Sequence, residues 1–227
     1  MIDSPALTKL LLSGLSGKIT WLTLSESYSV DEYIEAFRRT RALMTRTVAD
    51  LTDEQAAFQV DGNPTWSISE MVTHLIYSQA FYYNQLLEIT TSQLPHILEA
   101  AKGLGEGAKL GIPAAQLRVN LQTATAQIND AIERTRINND PTRITLNPIF
   151  GRCNYRTWIL LLLGHETDHV HQGILMRRAA KSALRSENSS RPAAEAKPAT
   201  AAKKAPKVTR TPRKRTSAKS KRKAKAD

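Results

Sequence analysis

The stretch WILLLLGHETDHVHQGILMRRAA, from Trp158 to Ala180, limits what this chain can fold into more than any other segment. Its first six residues are apolar without a break, so a helix built from them has no solvated face there and belongs in the middle of a core. The run is too short to cross a membrane, which takes roughly 18 or more apolar residues. A buried helix is therefore predicted from near Asn154 to about Leu184, the fourth of four.

The other three have local start signals. Ser29 reads as the N-cap of a helix from Val30 to about Asp50, with Asp31 and Glu32 in the first turn, where the helix dipole favours acids. Ile34, Phe37, Ala42, Met44 and Val48 are its expected buried stripe. A short helix is expected over Asp53 to Phe58, then a turn at Asp61-Gly62-Asn63-Pro64. The second long helix runs from Ser67 to about Thr90. Ser67 and Glu70 fit a capping box, and Trp66 and Met71 fit a hydrophobic staple. The third starts at Pro113, a favoured first helical residue, and reaches about Arg136. Its inner face is expected from Leu117, Val119, Leu121, Ala124 and Ile128. Residues 137–153, rich in Asn, Pro and Gly, read as a loop.

The chain has 227 residues, 41% of them hydrophobic, enough for one full core. Its single cysteine, Cys153, excludes an internal disulfide. Residues 1–28 read as an N-terminal extension that is neither a signal peptide nor a membrane span. Residues 29–184 are the bundle. The net charge of +11 is unevenly placed. Residues 185–227 hold 15 Lys+Arg against 3 Asp+Glu, so the first 184 residues are close to neutral. That tail has no aromatic residue and is rich in Ala, Lys, Arg and Pro. Such a composition cannot bury enough apolar surface to offset its ordering entropy, so disorder is expected from about Ser186.

The chemistry centres on histidine. His165 and His169 are four residues apart, which puts them on one face of the fourth helix, one turn from each other. That is a common way for a helix to offer a metal two imidazoles. Gln172 falls on the same stripe. A third ligand has to come from a neighbouring element, and His74, one turn into the second helix, is the good donor. On spacing alone the pair reads equally as two ligands or as core imidazoles with polar partners. His171 points to another face and reads as solvated or partner-facing. His96, after Pro95, has no partner that the sequence names.

Two segments resemble the DinB/YfiT-like superfamily. Trp66-Ser-Ile-Ser-Glu-Met-Val-Thr-His74-Leu resembles its first motif, and His165-x-x-x-His169-x-x-Gln172 its second. The order, the separation and the placement on the second and fourth helices match as well. The resemblance covers about residues 30–184. It implies an all-α, up-down-down-up four-helix bundle, a metal site made by His74, His165 and His169, and a coordination position open to water or substrate. It also implies a metal-dependent transferase or hydrolase, using a low-molecular-weight thiol or water against a small electrophile, in stress or damage response. The chain departs from the pattern at His171, in its first 28 residues and in its tail.

A second motif overlaps the first. His165-Glu166-x-x-His169 matches the zincin protease signature, in which the glutamate is the general base. The extended form fails, because Gln172 and Leu175 stand where it needs Gly and His. The simple form lacks a well-fixed downstream ligand, so the protease reading ranks below the DinB-like one. Glu166 reads either as a carboxylate acting on a bound water or as one paired with arginine or solvent. Zinc is the first expectation for the single divalent ion, with nickel, iron or manganese also compatible with three imidazoles. Tyr77 and Ser78, one turn from His74, are expected pocket residues.

The tail resembles those of histone H1-like proteins. A solvated polycation binds phosphates by counterion release, with little sequence preference. Arg213, Lys214, Arg215, Lys219, Lys221, Arg222, Lys223 and Lys225 are the expected nucleic-acid contacts. The expected setting is the cytoplasm, with nucleoid association through the tail, and the expected partners are a small-molecule substrate, nucleic acid and a second copy of the chain.

Overall fold

The computed structural model describes Ile2 and residues 4–59, 66–91, 98–102 and 112–190. These form helices α1 (Ser4–Leu15), α2 (Trp21–Ser25), α3 (Val30–Val48), α4 (Asp53–Ala57), α5 (Ile68–Thr91), α6 (Ala114–Arg136) and α7 (Tyr155–Ser190), with one antiparallel hairpin, β1 (Thr145–Asn147) and β2 (Gly151–Cys153). None of these helices is long and apolar enough to cross a membrane.

The four long helices, α3, α5, α6 and α7, make an up-down-down-up bundle, and side-chain pairs fix the directions. Arg41 meets Glu166, and farther along Arg177 donates to the Thr47 carbonyl, so α3 and α7 run parallel. His74 meets His165 while Tyr82 meets Trp158, so α5 opposes α7. Ser69 donates to the Ile112 carbonyl just before α6, and Arg134 donates to Tyr83 at the other end, so α5 and α6 run parallel. The core is continuous, with Phe37, Met44, Met71, Leu75, Leu121, Ile128, Trp158 and Leu162 all within 1% of full burial.

The helix starts form as their residues dictate. Ser29 and Glu32 make both halves of a capping box. Glu70 accepts from the Ser67 amide at 2.7 Å, and Ser67 Oγ accepts from the Glu70 amide at 3.1 Å. At α7, Asn154 Oδ1 accepts from the Thr157 amide at 2.9 Å. Each satisfies amides that the first helical turn leaves without partners.

Several expectations are corrected. Ala42 is exposed, and Arg41 takes its place in the stripe of Phe37, Met44 and Val48. Val119 is also exposed. Pro113 is the N-cap of α6 and not its first residue. It has no side-chain acceptor, and Asp53 of α4 accepts from the Ala114 amide instead, at 2.7 Å. The expected loop 137–153 contains the hairpin, in which Asn147 Oδ1 accepts from the Ile149 and Phe150 amides and Gly151 adopts φ +75°. The fourth helix continues past Leu184 to Ser190. The rest of the tail, like the turn at Asp61–Pro64 and His96, lies outside the described residues.

Residues 1–28 are more than an appendage. Ile2, Leu7, Leu24 and Ser25 are buried. Thr157 Oγ1 donates to Ser25 Oγ at 3.2 Å, and Tyr33 donates to the Leu24 carbonyl at 3.3 Å. The segment is packed into the same compact unit as the bundle.

Candidate metal centre

His74 stands on α5, on the second turn after its capped start, and His165 and His169 stand on consecutive turns of α7. Because α5 and α7 are antiparallel neighbours, the three rings meet. His74 Nε2 lies 3.3 Å from His165 Nε2, and His169 Nε2 lies 3.2 Å from it. All three ligand atoms fall within 4.8 Å of one another, and they form the metal-capable cluster among the described residues.

The spacing and chemistry fit a divalent cation. Imidazole nitrogens about 2.0–2.1 Å from one ion stand roughly 3 Å apart on the edge of a tetrahedron or octahedron. Without an ion, three neutral imidazoles converging in this way would have to share one N–H between two lone pairs. A cation accepts all three lone pairs at once.

The tautomer of His169 is set by its neighbours. Asp168 Oδ2 accepts from Gln172 Nε2 at 2.8 Å. That turns the Gln172 carbonyl toward His169 Nδ1, 3.1 Å away. A carbonyl only accepts, so Nδ1 carries the proton and Nε2 presents its lone pair to the cluster. Ser78 Oγ lies 3.3 Å from His74 Nε2. Trp66 stacks on His169 at 6.3 Å between ring centroids and leans on His74 at 4.9 Å.

Burial keeps His165 and His169 neutral. Burial, reinforced by His169, His74 and the Arg41 charge, pushes His165 from 6.5 down to about 3. Burial also lowers His169, helped by His74 and opposed by Gln172 and Asp168. Uncharged imidazole is the form that binds metal.

Glu166 takes a different path. It projects from α7 into the bundle, fully buried, and is not among the clustered ligands. Its Oε2 accepts from Arg41 Nη2 at 2.6 Å, and both side chains are at most 2% exposed. Burial pushes its carboxyl up, against the Arg41 charge and hydrogen bond. Arg41 also donates to Gln79 Oε1 at 3.3 Å. Of the two sequence readings, the geometry gives the arginine pair.

Tyr77 and Ser78 line a cleft of about 440 Å³ with Asn84 and Tyr82, and His165 stands at its edge. The basic residues expected to contact nucleic acid, Arg213 to Lys225, lie outside the described residues. Sequence reasoning missed Arg41, Asp168 and the ring contacts of Trp66. Arg41 was detectable as the charged member of an otherwise apolar 37-41-44-48 spacing. Asp168 was detectable one turn before Gln172.

Comparison with known proteins returns one family. A family model described as the DinB superfamily matches residues 36–172, a stretch that takes in the three histidines and Gln172. No curated protein and no solved structure matches the chain.

Proposed function

The chain belongs to the DinB superfamily, and on that premise we propose that it is a metalloprotein holding one divalent ion on His74, His165 and His169, with catalysis on a small electrophile as its activity. The observation that carries this is the convergence of three imidazoles, with His74 and His169 Nε2 both at ligand-edge spacing from His165 Nε2 and the His169 tautomer fixed in the ligating form. Zinc suits three imidazoles best, and nickel, iron and manganese accept the same donors.

When bound, such an ion makes a thiol or a water acidic enough to act as a nucleophile near neutral pH. The chain's own residues supply the rest. Gln172 and Asp168 orient His169, and Trp66 shields the rings on one side. Ser78 offers a hydroxyl beside His74, where it can hydrogen-bond an incoming polar group. The reaction class is thiol transfer or hydrolysis, in a stress or damage response. We give Glu166 no part in it and keep the protease reading below this one, because its carboxylate is enclosed with Arg41, where a general base would have to face a reacting water.

Elemental analysis of the purified, untagged chain tests the reading. About one equivalent of a transition metal is expected, and His165→Ala should carry none while keeping the helical circular-dichroism signal. A metal-free wild type that takes up no zinc, cobalt or nickel on dialysis would overturn it.

The charge segregation supports a second role. With a net charge of +12 on residues 185–227, the tail binds duplex DNA through phosphate contacts and places the protein at the nucleoid. Deleting residues 191–227 should abolish a DNA mobility shift that salt also weakens, with metal content unchanged.

A further inference from the structure

A cavity of about 370 Å³ lies between α1, α2, the hairpin, α7 and Tyr82 of α5, outside the histidine cluster but touching it at His165. Its walls are apolar: Leu11, Leu12 and Leu15 of α1, Trp21 of α2, Phe150 of the hairpin and Leu161 of α7. Its polar lining comes from Thr8 of α1 and from His165, Thr167, Asp168 and His171 of α7. The volume is within the range that holds a small organic molecule.

Close approaches build the walls. Leu11 packs directly over Gly164 of α7, where an added Cβ would stand 2.7 Å from Leu11 Cδ2 and turn that tip aside. Trp21 packs over Gly14 in the same way, and its ring would lie 2.7–2.8 Å from an added Cβ. Trp21 in turn meets Phe150 edge to face at 5.8 Å. So one glycine seats α1 on the residue next to His165, and the other seats α2 under α1.

The mouth carries apolar surface that folding leaves in water. Leu12 is 60% exposed and Leu15 73%. Contiguous exposed apolar surface beside a cavity marks a place where something apolar binds. These leucines and Trp21 also lie before residue 36, outside the stretch that matches the family model.

We infer that the cavity binds a small molecule with an alkyl or aryl body and one polar group, the body held by α1, α2 and Phe150 and the polar group turned to His165. Placing the polar group at His165 rests on the metal-centre reading, whereas recognition of the body rests on the apolar walls alone.

The test uses the full chain labelled with 5-fluorotryptophan and titrated with 1-butanol, 1-hexanol and 1-octanol. Trp21→Phe identifies the Trp21 resonance. That resonance should shift saturably, and the dissociation constant should tighten about fourfold per added methylene. Leu12→Glu, at a position already mostly in water, should flatten the series, and Leu12→Met should retain it. A Trp21 signal that does not saturate, a flat wild-type series, or a gradient unchanged in Leu12→Glu would overturn the inference. The series is run with metal removed by chelator and with zinc supplied. A gradient in a chain that takes up no zinc refutes the metal centre and keeps the cavity, and zinc uptake with a flat series does the reverse.

Discussion

His165 and Glu166 are adjacent on α7, yet they belong to different machinery. The first joins two other histidines at a partly open cluster. The second is sealed in the bundle against an arginine from α3. A rotation of about 100° separates them. The rotation delivers one to a cluster with spare lone pairs and the other to a charge that needs neutralising. A string such as His-Glu-x-x-His therefore assigns no roles by its letters. The neighbour that each helix face meets assigns them.

That contrast can be broken most severely at the cluster. His165→Ala should eliminate metal binding, read as metal content per chain, while the bundle still folds. Loss of folding without metal loss would merge the two regions. The same histidine sets an acid limit on the metal-free protein. Its neutral form fits the fold, and its pKa falls from 6.5 to about 3 on folding. The unfolded chain therefore takes up a proton near pH 6.5 while the folded one resists until about pH 3. The contribution is fully present above pH 6.5 and shrinks as the pH drops below it, which urea titrations at stepped pH would show.

At the sealed pair, Arg41→Ala should cost about 3–5 kcal/mol of stability, because it leaves a buried carboxylate without its partner. Replacing both together, Arg41→Met with Glu166→Leu, should recover most of that loss, and both proteins should hold metal at the wild-type stoichiometry. Metal loss from the folded double variant would show that Glu166 belongs to the centre after all. A smaller effect is expected at Gln172→Ala, which should weaken metal affinity by about 10–100-fold and leave the chemical denaturation midpoint of the metal-free chain close to wild type. Gly164→Ala should do least. The tip of Leu11 is flexible and can turn aside, so thermal unfolding should move little, while alcohol binding in the cavity weakens.

How much of this was legible in the sequence follows from how local each signal is. The N-cap at Ser29, the capping box at Ser67 and the buried run from Trp158 are local chemistry, and they formed as read. The histidine cluster was legible because two members share a helix face and the third follows a fixed helix start. Arg41 was missed because an arginine in an apolar stripe makes sense only once a carboxylate from α7 is opposite it. The hairpin was missed because its two strands have only three residues each, and an Asn-Pro-Gly composition reads equally well as loop. The packing of α1 and α2 places side chains over two glycines whose neighbours are distant or follow a turn, and no window of sequence displays that.

The run from Asp168 through Gln172 to His169 has a kinetic side. Folding itself orients that imidazole and selects its proton, so an arriving ion need not wait for the ring to rotate or change tautomer. On the proposed metal reading, capture would proceed close to the speed at which the ion sheds its water, and cutting the run at Gln172 would slow loading as well as hasten release.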